Sequence, residues 1–408
     1  MTNSVLFYVQ HLLGIGHLRR AMRIVDALAQ EGLEVTLVSG GEQFPGLPRA
    51  PADRIVQLPP IRAGDPTFKE LVDTAGRPID DDLRHARRAA LLTAFRSGQW
   101  SAILIEAFPF GRRAFRFELD ELIAAAHLSN PRPLVLCSVR DIVVVPDDER
   151  RRRDILDRVR ADFDFVLVHG DPAFIPLAAS FPLASEIADR LVYTGYVAEA
   201  ERSEAVAISD ESVGKDEVVV SVGGGAVGGA LLATAIEARR DGCLANLNWR
   251  LLTGPNLPEP EYAALAGKLS QGVILERYRP DFPQILRQCC VSVSQAGYNT
   301  ILDVVAAQVA AVVVPFAAER ETEQSLRAVH LAARGALQLV HEVELGPERL
   351  AQAIDRAISH RPAVVAFDTD GARRTARLIS HMIRSGPNVS KHSLESLALP
   401  PTIDIIQS

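Results

Sequence analysis

Residues 218–232 read VVVSVGGGAVGGALL. A β-branched apolar run feeds five glycines, Gly223, Gly224, Gly225, Gly228 and Gly229, and an apolar helix follows. Glycine lacks the Cβ that holds a backbone away from a phosphate, and the free N–H groups and partial positive charge of a helix start favour an anion there. The stretch therefore reads as a strand, a diphosphate cradle and a helix of a doubly wound α/β domain. Its Gly-x-Gly-x-x-Gly spacing also fits a dinucleotide-binding oxidoreductase, but that reading needs an acid about 20 positions on, at the end of the next strand. Here that strand closes on Thr253, Gly254 and Pro255, and no Gly-Lys-Ser or Gly-Lys-Thr follows to make a P-loop. A purely structural strand-to-helix turn is the remaining alternative.

Strand-like and helix-like runs alternate in both directions from this point. Downstream, strands are expected at 249–253, 273–275, 291–294 and 311–314, each paired with a helix. Upstream, residues 199–215 are small and polar and read as a linker between domains 1–198 and 216–385, with a tail at 386–408. The first domain opens with a strand at 5–9, a helix from about 17 to 31 with Ala21, Ile24, Val25 and Leu28 on one face, and a strand at 35–39. Further strands fall at 102–105, 134–138, 165–169 and 191–194, while 40–98, rich in Pro and Asp, reads as long loops. Two consecutive doubly wound parallel sheets predict two Rossmann-like domains facing a cleft, with ligands at the carboxyl ends of the strands.

At 408 residues, 48% hydrophobic, the chain is long enough for two cores. A formal charge of −7 gives no general field for nucleic acid. No run of about 20 apolar residues is present to span a membrane, and the opening residues lack the pattern of a secretion signal, so a cytoplasmic location is expected. The four cysteines, Cys137, Cys243, Cys289 and Cys290, form no metal-ligand spacing and read as reduced.

The first domain has its own glycine turn, QHLLGIGHLRR, with Gly14, Gly16 and His17 at the junction and Arg20 one turn beyond His17 on the same face. The pair suits an anion or a sugar hydroxyl; the plainer reading is a helix-capping histidine beside a solvated arginine face. In the second domain QAGYNTILD places Gly297 at a turn, Asn299 and Thr300 just beyond it, and Asp303 in the first turns of the helix, where a carboxylate can accept from a ribose diol. The segment AAERETEQSLRA puts Glu323 and Gln324 at another helix start, suited to hexose hydroxyls.

Together the GIGH turn, the GGG turn, the GYNTILD segment and the PF…EQ…RA…G run ending at Gly335 resemble the glycosyltransferases of the two-Rossmann-domain (GT-B) architecture, specifically family 28. The opening YVQHLLGIGHLRR also looks like that of a branch of bacterial predicted glycosyltransferases. The resemblance implies that Gly224 and Gly225, with Gly223, face a donor diphosphate, and that Asp303, where relatives often have Glu, holds the ribose. It further implies that Glu323 and Gln324 touch the donor sugar, that Tyr278 and Arg279 line the base pocket, and that His17 lies on the acceptor side with Gly14, Gly16 and Arg20. It implies an inverting transfer of a hexose or N-acetylhexosamine from a UDP-sugar co-substrate to a hydroxyl acceptor, without metal or cofactor.

Such a transfer needs a base for the acceptor hydroxyl, and three candidates stand at first-domain strand ends: His17, Glu106 and Asp141. Histidine ranks first because its ordinary pKa is near 6.5, whereas a carboxylate would have to be raised by burial. For Glu106 and Asp141 the plainer role is a helix cap or an ion pair with Arg112 or Arg140. Asp368-Thr369-Asp370 has the letters of a metal-binding pair, but it precedes an apolar-striped helix and is expected to cap it, and the triplet Asp80 to Asp82 likewise reads as a helix start. The arginines 112, 113, 116 and 150–153 could meet a phosphorylated or lipid-linked acceptor at a membrane surface, or form a solvated helix face. His169, His330 and Tyr193 read as core. The alternatives to a transferase are a UDP-sugar 2-epimerase or hydrolase of the same architecture, and a sugar-nucleotide binding protein without catalysis.

Overall fold

The computed structural model describes residues 3–12, 16–43, 54–64, 70–144, 148–198, 212–223, 228–240, 242–316, 323–365, 368–386 and 389–399. The chain divides into two compact units, Met1–Ala200 with Phe367–Ser408, and Glu201–Ala366.

In the first unit β1 (Ser4–Val9), α1 (Gly16–Gln30), β2 (Glu34–Ser39) and β3 (Arg54–Gln57) run in succession. A short hairpin, β4 (Arg62–Ala63) and β5 (Leu71–Val72), leads to α2 (Asp81–Arg96). Then come β6 (Ala102–Glu106), α3 (Arg116–His127), β7 (Leu134–Arg140), α4 (Glu149–Asp162), β8 (Phe165–His169) and β9 (Leu191–Tyr193). The seven long-sheet strands are parallel, in the order β3-β2-β1-β6-β7-β8-β9. β1 and β6 are buried along their whole length, which is why they read as unbroken apolar runs rather than alternating ones. The order reverses between β1 and β6, and there the carboxyl ends of the strands leave a crevice.

The expected loops of 40–98 contain a helix, α2, which begins at the start read from Asp80 to Asp82. Asp80 caps it by accepting from the Leu83 N–H at 2.8 Å. Its buried Arg87 forks onto Glu118 of α3 at 2.9 and 2.7 Å, and Tyr8 of β1 donates to the same carboxylate at 2.5 Å. This helix therefore docks both through Leu91, Ala94 and Phe95, which are buried in the core, and through a buried, bidentate ion pair.

The second unit holds β10 (Val218–Ser221), α5 (Gly229–Ala238), β11 (Trp249–Leu252), α6 (Glu259–Ala266), β12 (Val273–Glu276) and α7 (Phe282–Gln288). It continues with β13 (Val291–Ser294), α8 (Tyr298–Ala307), β14 (Ala311–Val313), α9 (Glu323–Ala333), β15 (Gln338–Leu339) and α10 (Pro347–Ser359). Its six parallel strands follow the order β12-β11-β10-β13-β14-β15, with the reversal beside β10.

The domain expected to run to residue 385 ends earlier. From Asp368 the chain is again part of the first unit, where α11 (Gly371–Ser385) buries Ala376, Leu378, Ile379, Met382 and Ile383 in the same core as Ala21, Ile24, Val25 and Leu28 of α1. The apolar stripe that marked this helix in the sequence is spent on the first unit. The return is pinned by an antiparallel bridge between Val197 and Asp370 and by a close backbone crossing. A Cβ on Gly371 would stand 2.3 Å from the Gly195 carbonyl oxygen, and Gly195 itself has φ +84°, so neither position accepts a side chain without moving backbone. α12 (Lys391–Leu394) completes the unit. No described helix is long and apolar enough to cross a membrane.

Candidate active site

The reversal in the first sheet places the start of α1 beside the end of β6. His17 Nδ1 lies 2.8 Å from Glu106 Oε1, and Arg20, one turn along α1, bonds the same oxygen. Glu106 is fully buried, and its register partner on β7 is Ser138, whose hydroxyl donates to Glu106 Oε2 at 2.8 Å. Burial alone would raise this carboxyl, but the Arg20 charge and the bonds from His17 and Ser138 outweigh it and hold the group well below the usual carboxylate range. An ionised Glu106 only accepts, so the proton between it and His17 sits on Nδ1 and the lone pair of His17 is on Nε2. Arg140, at the end of β7, donates to that Nε2 at 2.9 Å. Burial together with the charges of Arg140 and Arg112 depresses the imidazole to about 3, so His17 is neutral at pH 7 with an acceptor nitrogen. Its side chain keeps 23% of its exposure, whereas Glu106 has none.

Of the other first-domain candidates, Gly16 opens α1 and Gly14 lies outside the described residues. Asp141 is buried and accepts from the Tyr196 hydroxyl at 3.0 Å. The ion-pair partner of Glu106 is Arg20 rather than Arg112 or Arg140. Three participants went unread as such: Ser138, Arg140 and His169. Their signal was register. The runs AILIE and LVLCS lie in adjacent buried strands, and pairing them start to start sets Ser138 against Glu106, with Arg140 set against His169 on the next strand.

In the second unit the glycine turn follows β10. Gly223 has φ +71°, and Gly228 has φ +118° with its missing Cβ only 2.5 Å from Val222, so a side chain there meets both a backbone and a packing conflict. Gly224 and Gly225 lie outside the described residues. Gly223, at the end of β10, and Gly297, before α8, converge on Thr300, whose Oγ1 would be 3.8 Å from a Cβ on either. Asn299 and Asp303 are half-buried on α8. Glu323 accepts from Arg327 at 3.1 Å, and the buried Arg327 guanidinium stands 5.3 Å from the centre of the Tyr298 ring. The Gln324 side-chain oxygen accepts from the Phe316 N–H at 3.2 Å. Glu323 and Gln324 thus brace α8 and the end of β14. Arg279 is forked onto Asp281 at 2.8 and 2.6 Å, and Tyr278 beside it is 55% exposed.

The Asp368 and Asp370 carboxylates are taken by Arg374 and Arg373. Asp370 stands at the cap position of α11 but makes no cap bond with its side chain. Among the described residues no three His, Cys, Asp or Glu side chains converge as a metal site would require. Arg116 and Arg153 are in ion pairs with Asp154 and Glu186. His169 is buried and hydrogen-bonded rather than simply packed.

Residues 219–380 match the glycosyltransferase family 28 C-terminal domain. The match covers less than half of the chain, and the fold is that of the GT-B glycosyltransferases. The family 28 segment begins in β10 and ends within α11, so it takes in the second unit and the return to the first. The chain is 26% identical over 147 residues to the UDP-N-acetylglucosamine–N-acetylmuramyl-(pentapeptide) pyrophosphoryl-undecaprenol N-acetylglucosamine transferase of Carboxydothermus hydrogenoformans, covering 35% of this chain and 38% of that protein. It thus spans well under half the length of this curated relative. Among solved structures, the calicheamicin glycosyltransferase CalG4 superposes with a TM-score of 0.60 at 16% identity over 96% of this chain and 98% of its own. Acinetobacter baumannii MurG gives 0.55 at 17% over 93% and 99%. At these identities the likeness establishes the fold.

Proposed function

We propose that the protein is an inverting, metal-independent glycosyltransferase that moves a hexose or N-acetylhexosamine from a UDP-sugar to a hydroxyl acceptor. The observation that carries the reading is the His17–Glu106 pair, 2.8 Å apart at the reversal of a sheet that precedes a family 28 domain. The acceptor hydroxyl takes the place of Arg140 at His17 Nε2. As its oxygen attacks the anomeric carbon, Nε2 removes its proton, the bond from that carbon to the diphosphate oxygen breaks, and UDP leaves with the electron pair. Glu106 holds the imidazole in the needed tautomer and stabilises the imidazolium that forms. In the second unit the glycine turn and the start of α5 supply N–H groups for the diphosphate, so charge is stabilised without a metal ion. Asp303 holds the ribose, Tyr278 and Arg279 flank the base, and Glu323 and Gln324 lie toward the sugar. The acceptor is lipid-linked or phosphorylated, in keeping with the relative whose acceptor is named as a pyrophosphoryl-undecaprenol.

A thermal-shift series with UDP, TDP, UDP-glucose and UDP-N-acetylglucosamine tests the donor. A ligand at 100 times its Kd adds about 2.7 kcal/mol of stability. A uridine-selective rise that Asp303→Asn weakens is expected, and silence for every nucleotide would refute the reading. Rapid conversion of UDP-N-acetylglucosamine to an epimer, or to free sugar and UDP without acceptor, would replace the transferase with the alternative chemistry.

A further inference from the structure

Behind Glu106 the hydrogen bonding continues across the first sheet. The Ser138 hydroxyl is 2.8 Å from Glu106 Oε2 and 2.9 Å from His169 Nε2, and His169 Nδ1 is 2.8 Å from the Thr194 hydroxyl. Glu106, Ser138, His169 and Thr194 stand near the carboxyl ends of four adjacent strands and are all buried. With Glu106 ionised, the direction of every proton is determined. Ser138 has one hydrogen and gives it to the carboxylate, so the contact with His169 must use a proton on His169 Nε2. His169 is neutral, since burial and the nearby Arg20 charge push it down to about 3, and a neutral imidazole carries one N–H. Its Nδ1 therefore accepts from Thr194. All donors in the chain point toward Glu106.

We infer that Ser138 and His169 are positioning residues: the buried chain Thr194–His169–Ser138 pins the second oxygen of Glu106, so that its first oxygen stays on His17 and the His17 proton stays on Nδ1. This deepens the assignment of His17 as base and rests on it. Glu106 Oε1 already serves two donors, His17 and Arg20, and Arg20 Nη2 approaches His17 Nδ1 to 3.3 Å. Without a donor on Oε2, the carboxylate is free to turn and present both oxygens to the Arg20 fork, the preferred geometry of that pair. His17 would then lose its partner and its tautomer. Ser138 holds the arrangement from one side, and His169 fixes the Ser138 hydroxyl in the one orientation that donates to Glu106. Neither residue touches the reacting atoms.

The test is a titration of the full chain labelled with 15N-histidine, with His17→Gln and His169→Gln identifying the two signals. In the unaltered protein His17 is expected as the Nδ1–H tautomer and His169 as the Nε2–H tautomer. Glu106, Arg20, Arg140 and Arg112 all face His17, so only the change between variants is diagnostic. Ser138→Ala should mix the His17 tautomers and lower its midpoint by about one pH unit, because an imidazole that loses the Glu106 carboxylate loses the contact that favours its protonated form. Ser138→Thr, which keeps the hydroxyl, should restore the original spectrum, and His169→Phe should reproduce Ser138→Ala. A folded Ser138→Ala protein with unchanged His17 tautomer and midpoint overturns the inference, as does an Nε2–H tautomer of His17 in the unaltered chain. The slow leakage of UDP from UDP-N-acetylglucosamine to water, compared between the unaltered chain and His17→Gln, separates the two levels: an unchanged rate would remove His17 as base, while the spectra would still report whether Ser138 and His169 set its tautomer.

Discussion

Acidification from pH 7 to pH 5 should destabilise the first unit steeply, and the two buried imidazoles give the size of the effect. An unfolded histidine binds a proton below about 6.5. In the folded chain His17 and His169 do so only near 3, because His169 is buried and His17 largely so, each beside arginine. Their contribution is therefore fully present above pH 6.5 and is lost as the pH falls toward 3. Between pH 7 and 5 each histidine removes about 2 kcal/mol, a figure that holds for any folded value below about 4. Glu106, depressed instead, begins to matter only below the ordinary carboxylate range. The chain has two tryptophans, Trp100 in the first unit and Trp249 in the second, so Trp249→Phe leaves an indole that reports on the first unit alone. Urea unfolding of that protein, followed by Trp100 fluorescence, should show a free energy lower by about 4 kcal/mol at pH 5 than at pH 7. Adding His169→Gln should remove about half of this pH dependence. An equal loss with and without His169, or a folded His169 that is protonated at pH 5, would refute the reasoning.

Arg140→Met takes a positive charge from 2.9 Å of His17 Nε2, so the imidazole midpoint should rise from about 3 toward its ordinary value in a 15N titration; an unmoved midpoint would show that Arg140 does not face the ring in solution. Gly371→Ala must push backbone apart at the Gly195 carbonyl, and a cost of roughly 1–3 kcal/mol with earlier proteolysis of the C-terminal helix is expected. Native stability in that variant would mean the crossing is looser than described.

Much of this was legible because parallel strands buried on both faces leave continuous apolar runs, and each sheet's glycine turn lies next to its reversal. α2 was legible only at its start, Asp80 to Asp82, since its buried face of Arg87, Leu91, Ala94 and Phe95 includes an arginine and lies within a string of charges. The end of the second domain was misplaced for a related reason: an apolar stripe tells that a helix is covered but not by which unit. His17 and Glu106 were each readable as candidates at strand ends. That they act on one another depends on side-chain alternation and strand register. Arg140 and Asp141 are neighbours in sequence, yet one meets His17 and the other Tyr196. Glu323 and Gln324 stand at the expected helix start, but their visible partners are Arg327 and Phe316, which sequence spacing alone did not bring forward.

The return of α11 to α1 also constrains how the protein is made. Part of the apolar face of α1 stays uncovered until Glu201–Ala366 has left the ribosome. At about 5–20 residues per second that interval lasts on the order of ten to thirty seconds. During it the nascent first unit presents Ala21, Ile24, Val25 and Leu28 without their final cover, a window in which a chaperone would find its substrate and a truncated message would leave a sticky product.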